Sequence, residues 1–270
     1  MAITRTQLAT YNGTHVAYPG AMTAGDVSFC FINVLGTTTA PSGVGDNING
    51  TYTLIGNSGS SAVQMAYLYA FFNVAAASGG ACLINNLTVP SGGTGINWGA
   101  YEYGGVSSSL DGSVQTGSGS STTSSASITT TNAADLLICV VSCGSASGNT
   151  AGSGYTKQFD NATSPNLLMQ DQIVAATGTY TGAMTLGSST AWSEMQVAFK
   201  AATSGSVTPN ATGVIDITGV QGALTAISPP QATGTMSISG IVSPTITGAG
   251  PGPSIISGPF PWYLIELLGR

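Results

Sequence analysis

The chain has 270 residues with 4 basic and 10 acidic side chains, and its formal net charge is −6. This length is enough to bury a substantial core, in one large domain or in one domain with an appendage. Because ion pairs can contribute little at this charge content, packing and backbone hydrogen bonds must hold the fold. No two basic residues are adjacent in sequence, whereas a phosphate-binding face needs clustered Lys and Arg, so the sequence argues against nucleic acid as a partner.

The N-terminal residues 1–10 lack the basic region and apolar core of a secretory signal. The longest apolar run, residues 66–77, contains Tyr67, Tyr69 and Asn73 and is too short to span a bilayer. We therefore expect no membrane partner and a protein that is made in a cytoplasm.

The first 200 residues alternate apolar runs of strand length with clusters of Gly, Ser, Asn and Pro, without a sustained helical period. This pattern predicts an all-β domain of about ten strands. A single twisted sheet of that size would leave a face uncovered, so we predict a two-sheet antiparallel sandwich. The predicted strands are residues 27–35, 52–56, 63–74, 81–89, 96–104, 125–130, 136–143, 167–175, 178–186 and 191–201.

Residue parity predicts which side chains face the core of this sandwich. In the last strand Met195, Val197 and Phe199 share one parity and are predicted to point inward. Residues 111–127 are nearly all Gly, Ser and Thr, with no large apolar residue after Val114, which predicts a surface loop.

The four cysteines, Cys30, Cys82, Cys139 and Cys143, match no zinc-binding spacing. In an extended run Cys139 and Cys143 would lie about 13 Å apart, which is too far for a disulfide. We expect buried free thiols.

The composition changes after Lys200, since 8 of the 12 prolines and only three charges lie in the last seventy residues. We divide the chain into a β-sandwich domain, residues 1–202, and an extended strand-repeat tail, residues 203–270. Within the tail, residues 211–220 (ATGVIDITGV) align with residues 232–241 (ATGTMSISGI) at a spacing of 21 residues.

Each repeat is one short strand closed by Gly, which cannot form a core alone. We expect these strands to add to the edge of the first domain, to pair with a neighbouring subunit, or to wind with two other copies into a three-chain stalk. Residues 260–268 form the most hydrophobic segment and would be an aggregation hazard if exposed, so we expect them to dock. The predicted interface residues are Ile215, Ile217, Met236, Ile238, Phe260, Trp262, Tyr263, Leu264 and Leu267.

The scarcity of reactive side chains argues against catalysis. His15 is the only histidine and no Gly-x-Ser-x-Gly motif serves it, which disfavours a nucleophilic triad. Glycoside hydrolysis needs two carboxylates about 5–10 Å apart. Glu102 has no acidic neighbour in sequence before Asp111, and Glu194 across the sheet is the remaining candidate partner. We expect a protein that is not an enzyme and has no cofactor.

Two features are candidates for ligand binding. Asp46, Asn47 and Asn49 place oxygen-bearing side chains in a tight loop, as a calcium site would, but a turn explains the same residues. Trp98 and Tyr101 are candidates for stacking on a host-surface glycan, with core packing or a subunit interface as the alternative.

The order of the strand and turn motifs adds a resemblance. Residues 15–201 resemble the jelly-roll, lectin-like β-sandwich domains of phage virion proteins and bacterial surface proteins. The segments that carry this resemblance are residues 45–54 (GDNINGTYTL), 98–104 (WGAYEYG), 127–131 (SITTT), 135–138 (DLLI), 154–156 (GYT), 178–184 (GTYTGAM) and 197–200 (VAFK).

The resemblance implies a capsid decoration or cement protein, or part of a tail fibre, often trimeric. We therefore expect a virion structural protein that forms a homotrimer and packs on other virion proteins, such as the major capsid protein, through its tail. The alternative is a tail-fibre or surface adhesin whose lectin-like sandwich binds a glycan.

Overall fold

The computed structural model describes residues 2–11, 15–59, 64–85, 87–145 and 147–203, and the backbone of residues 215–218, 236–239 and 264–265. These residues form strands and turns and contain no helix, so the described part of the chain is all-β. The structure divides into two compact units, Met1–Ser204 and Gly205–Arg270.

The strands follow one another closely along the chain. The first unit begins with β1 (Thr4–Tyr11), β2 (Val16–Ala17), β3 (Val27–Leu35), β4 (Gly45–Asp46), β5 (Gly50–Thr51), β6 (Thr53–Asn57), β7 (Met65–Phe72), β8 (Leu83–Ile84) and β9 (Thr94–Gly104). It continues with β10 (Val106–Leu110), β11 (Gln115–Thr123), β12 (Ser127–Thr130), β13 (Asp135–Cys143), β14 (Thr156–Asp160), β15 (Asn166–Val174), β16 (Gly178–Thr181) and β17 (Thr185–Ala201). The second unit contains β18 (Ile215–Thr218), β19 (Met236–Ser239) and β20 (Leu264–Ile265).

Two antiparallel sheets form the body of the first unit. In the described residues the first sheet has the order β5-β4-β8-β2-β1-β9-β3-β7-β6, and the second has the order β10-β17-β13-β15-β14 with β11 also paired to β17. Strands β12 and β16 pair separately as a two-stranded ribbon. All strands of the first sheet precede Gly105 and all strands of the second follow it, so the described chain passes between the two sheets at that glycine.

Each sheet is built around five strands in the same spatial order. These are β1-β9-β3-β7-β6 in the first sheet and β10-β17-β13-β15-β14 in the second, which both read 1-5-2-4-3 along the chain. The sequences of the two central strands also correspond: Ala24-Gly25-Asp26-Val27-Ser28-Phe29-Cys30 leads into β3, and Ala133-Ala134-Asp135-Leu136-Leu137-Ile138-Cys139 leads into β13. Shared topology with matching residues at matching positions is the pattern of an internal duplication.

The largest apolar core lies between the two sheets. Phe29 and Phe31 of β3 pack there against Ile138 of β13 and against Val197 and Phe199 of β17. The rings of Phe29 and Phe199 have centroids 4.7 Å apart. The inward orientation predicted for Val197 and Phe199, and for Met195 on the same strand, is confirmed because all three are buried in this core.

Two further apolar clusters cover the outer faces of the sheets. Cys30 of β3 belongs to the cluster over the first sheet, together with Tyr52. Cys139 of β13 belongs to the cluster over the second sheet, together with Tyr155. Because both faces are covered, β13 is buried along its whole length, and its residues 136–141 are continuously apolar rather than alternating. All four cysteines are buried free thiols, as expected.

The prediction of a surface loop at residues 111–127 is wrong for most of its length, because residues 115–123 form β11 against β17. The strand predicted at residues 81–89 is reduced to the two residues of β8. The strand predicted at residues 178–186 divides into β16 and the start of β17.

Candidate assembly surfaces

The second unit consists, in its described residues, of three short paired strands. β18 and β19 run parallel, with Ile215 opposite Met236 and Ile217 opposite Ile238. Each residue therefore pairs with the residue 21 positions later, which is the spacing of the sequence repeat. β20 joins the other side of β19, antiparallel, with Leu264 opposite Ser237.

The predicted interface residues fall partly on these strands. Those within the paired backbone are Ile215, Ile217, Met236, Ile238 and Leu264. The remaining predictions, Phe260, Trp262, Tyr263 and Leu267, lie outside the described residues.

The second sheet ends in an open edge at β11. β10 and β11 together lie beside β17 as β1 lies beside β9 in the first sheet. β11 pairs with β17 from Gln115 opposite Gln196 to Thr123 opposite Thr185, and no described strand pairs with its other side. We call this outer side of residues 115–123 the β11 edge. The corresponding strand β1 does have an outer neighbour, β2.

The glycines of β11 let it run flat across Trp192. A Cβ atom on Gly119 would lie 3.0 Å from Cζ2 of the indole ring, and a Cβ atom on Gly117 would overlap the carbonyl oxygen of Ser125. The indole Nε1 donates a hydrogen bond of 2.9 Å to Ser121 Oγ. β11 has no large apolar residue of its own. It forms a strand because its partner β17 supplies the aromatic side chain of Trp192.

An open groove of about 570 Å³ lies beside the first half of β11. At its wall, Ser58 Oγ donates a 2.8 Å hydrogen bond to Ser193 Oγ and accepts one of 2.9 Å from Ala66 N. The groove is uncharged and offers hydroxyl and backbone groups, which suits a polar, uncharged occupant such as a polypeptide backbone. Its lining residues are Thr38, Ser58, Gly59, Thr116, Gly117 and Ser118.

A buried carboxylate joins the two sheets at their β1 and β15 strands. Asp171 is fully buried and accepts hydrogen bonds from Arg5 Nε at 2.6 Å and from the Tyr103 hydroxyl at 2.8 Å on one oxygen. Its other oxygen accepts a hydrogen bond of 2.9 Å from Gln158 Nε2. The sequence does not reveal this cluster, because Arg5 and Tyr103 are distant in sequence from Gln158 and Asp171.

The suggested pairing of Glu102 with Glu194 is wrong. Glu102 lies on the outer face of the first sheet, where it accepts hydrogen bonds from Gln7 Nε2 and from Thr23 N at 2.8 Å. Glu194 has the parity of Trp192 and lies on the outer face of the second sheet, with Oε1 accepting a 2.9 Å hydrogen bond from Ala126 N. The two carboxyl groups belong to different layers and cannot flank one glycosidic bond.

The surroundings of the Glu194 carboxyl group favour its neutral form. It is fully buried beneath the segments that enter β12 and leave β16, and a Cβ atom on Gly182 would lie 2.9 Å from its Oε1. Burial raises the pKa of Glu194 to about 7, with Ser124 and Cys139 beside the carboxyl group. Burial also raises the pKa of the Cys139 thiol, so this thiol is a packing group rather than a nucleophile.

Asp111 and Asp135 are coupled, because the ionisation of each carboxyl group affects the pKa of the other. Burial opposes ionisation of Asp111, but hydrogen bonds from Thr131 and Asn132 prevail and lower its pKa to about 2. Burial, together with the adjacent Asp111 carboxylate, raises the pKa of Asp135 to about 6. The pair fixes the turn before β13 and titrates as a unit.

The side-chain oxygens of the predicted calcium site accept hydrogen bonds from the protein itself. Asp46 Oδ1 accepts hydrogen bonds from Ile48 N at 2.7 Å and from Asn49 N at 2.6 Å, and Oδ2 accepts one from Tyr52 at 2.6 Å. The side-chain oxygens of Asn47 and Asn49 accept hydrogen bonds from the backbone amides of Leu83 and Ala75. This is the geometry of a turn, which was the alternative interpretation of these residues in the sequence.

The two glycan candidates do not share a surface. Tyr101 is buried in the core between the sheets, with its ring centroid 4.8 Å from that of Tyr103. Trp98 packs partly buried against the cluster on the opposite face of the first sheet. Trp98 and Tyr101 have opposite parity along β9, which places them in two different layers.

Within the described ranges, no group of three or more His, Cys, Asp and Glu side chains is placed to hold a metal ion. His15 is half-buried just before β2. The described part of the chain has no helix with the length and apolar character needed to cross a membrane.

The fold and surfaces define an all-β protein built from two packed antiparallel sheets. No protein-family model, curated protein or solved structure matches the chain.

Proposed function

We propose that the protein is a non-enzymatic structural component of a phage virion, of the capsid decoration or cement type. It acts in the assembled virion, stabilising the particle by packing between subunits through its tail. The resemblance of residues 15–201 to jelly-roll, lectin-like virion domains supports the class of protein, and the antiparallel sandwich is compatible with it. The confinement of each half of the domain to one sheet is a feature that this resemblance does not explain.

The observation that carries the proposal is the pairing of the repeat strands in the second unit. Described strands of four, four and two residues are too short to bury a core of their own, and parallel pairs are normally covered on both faces. The tail therefore gains stability from partner chains. We propose that two further copies supply them in a homotrimer, and that residues 260–268 dock on another virion protein such as the major capsid protein.

Deletion of residues 203–270 tests this function. Full-length protein should bind to particles that lack it and protect them against heat, and the deleted protein should do neither while keeping the far-ultraviolet circular dichroism of a β-sandwich. Normal binding and protection by the deleted protein would refute the cement function.

The adhesin remains the second candidate, and the uncharged groove beside β11 is the surface that favours it. Under this alternative, a glycan array should show binding by the full chain, equal binding after deletion of the tail, and loss of binding when Thr116 is replaced by Lys. Trp98→Ala would have no effect there, because Trp98 lies on the outer face of the first sheet.

A further inference from the structure

Among the described residues, the β11 edge lacks the features that normally keep a sheet edge from pairing. Natural edges carry Lys or Pro, are short or bulged, or are covered by another segment. From Gly112 to Ala134 the sequence contains no charged residue and no Pro. The one irregularity in the pairing of β11 lies near its end, between Ser121 and Thr123. The seven residues from Gln115 to Ser121 pair regularly with β17, and the backbone groups on their outer side could pair with another strand.

We propose that the β11 edge pairs with the β11 edge of a second copy of this chain, in an antiparallel contact with twofold symmetry. The second sheets of two protomers then form one continuous sheet. This contact does not use the tail, so it stands apart from the proposed function.

A second copy fits this edge better than a charged partner strand. Two β11 strands bring no charge to the contact, whereas a strand with Lys or Asp would place a charge beside the uncharged groove. A twofold axis presents one surface to its own copy in antiparallel orientation, as edge pairing requires. The first half of the domain shows that this edge position accepts a neighbour, because β2 pairs there with β1.

The regular part of β11 sets the register. Antiparallel pairing of residues 115–121 with themselves places Ser118 opposite Ser118 of the second copy. Thr116, Ser118 and Ser120 are exposed and small, so the two edges can approach without a steric clash. Thr38 and Ser58 line the groove beside this segment.

The contact is weak by itself. Seven residues span about 24 Å, and a contact about 10 Å deep buries roughly 500 Å² over both partners, well below the roughly 1,200 Å² of a stable interface. The dimer therefore forms at high protein concentration or where other contacts hold protomers close together. Each chain carries a net charge of −6, so added salt should strengthen the association by screening repulsion.

Cross-linking of full-length Ser118→Cys tests the contact directly. The native cysteines are all buried, so the new thiol is the reactive one. Ser108→Cys, on an exposed position of the neighbouring edge strand β10, is the matched control. Under mild oxidation Ser118→Cys should give a reducible dimer band and Ser108→Cys should not. Equal cross-linking of both variants, or none with Ser118→Cys, would overturn the proposal.

Charge variants give a second, non-covalent test by sedimentation of the full chain. Ser118→Lys alone and Ser118→Glu alone should each weaken the edge association about tenfold, because like charges then lie opposite one another. An equimolar mixture of the two variants should associate again. Unchanged association of the single variants would overturn the pairing. Normal particle binding after tail deletion would refute the cement function and leave the edge association unaffected, so the two proposals can fail separately.

Discussion

Arg5 Nε lies 2.6 Å from Asp171 Oδ2 and thereby links the first strand of one sheet to a central strand of the other. Asp171 is fully buried, and the Arg5 side chain is 33% exposed, so the aspartate depends on the arginine for its countercharge. The Tyr103 hydroxyl donates to the same oxygen. The two halves of the domain are thus joined by an ion pair, in which Arg5 of the first half neutralises the buried Asp171 of the second half.

Replacing Arg5 by Met should lower the free energy of unfolding by about 1–3 kcal/mol, because Asp171 then remains buried without its countercharge. The partial exposure of Arg5 keeps this below the cost of breaking a fully buried pair. Urea denaturation measures the effect. Lys157→Met breaks the more exposed Lys157–Asp160 pair and should cost less than about 1 kcal/mol. Equal losses in the two variants would contradict the account.

Glu194 should make the sandwich less stable as pH rises. Its pKa is about 7 in the folded protein against a usual value of 4.5, so between these values the folded state keeps a proton that the unfolded state has released. Stability therefore falls through this window, by at most about 1.4 kcal/mol per pH unit. Glu194→Gln should match the wild type near pH 4 and exceed it at pH 8 in urea denaturation. A constant difference at all pH values would argue against a neutral buried Glu194.

The two members of the Asp111–Asp135 pair should respond oppositely to amide substitution. Asp135 has a raised pKa of about 6, so Asp135→Asn mimics its protonated form and should equal or exceed the wild type at pH 7. Asp111 has a pKa of about 2 and accepts hydrogen bonds from Thr131 and Asn132, so Asp111→Asn should lose about 1–3 kcal/mol at pH 7. That loss should shrink as pH falls from 3.8 towards 2, where wild-type Asp111 takes up a proton. Denaturation curves at pH 3 and pH 7 distinguish the two, and similar effects of both substitutions would refute the assignment.

The two glycines of β11 that face Trp192 should differ in their tolerance of a methyl group. Gly117→Ala forces its Cβ into the backbone oxygen of Ser125 and should cost about 1–3 kcal/mol. Gly119→Ala meets only the indole ring of Trp192, at 3.0 Å, and should cost less. Thermal unfolding measures both, with Ser120→Ala on the exposed face as the control. A larger loss for Gly119→Ala would show that the strand is positioned differently.

Sequence pattern located the central strands well, because strands covered on both faces are rich in apolar residues. β3 was predicted at its observed bounds, and β13 and β15 to within one residue at each end. β1 and β11 were missed because most of their residues are polar or small and become strands only by pairing with β9 and β17. Local propensity does not contain that information.

The tail repeat was visible in sequence because its two copies lie 21 residues apart and match closely. The common strand order of the two sheets was not visible, since the two halves share few residues beyond Asp26 and Cys30 in one half and Asp135 and Cys139 in the other. The unpaired edge of β11 likewise exists only because β11 lies beside β17. The residues of this segment do not reveal that pairing, so the sequence alone predicts a loop there.

The central claim is that the protein packs against copies of itself through its last residues. Sedimentation equilibrium of the full chain and of a chain without residues 203–270, at equal concentration and in buffer at 0.15 M salt, tests it most directly. We predict a homotrimer for the full chain, and for the shortened chain a monomer with at most a weak dimer at high concentration. A monomeric full chain, or the same oligomer for both chains, would contradict the account.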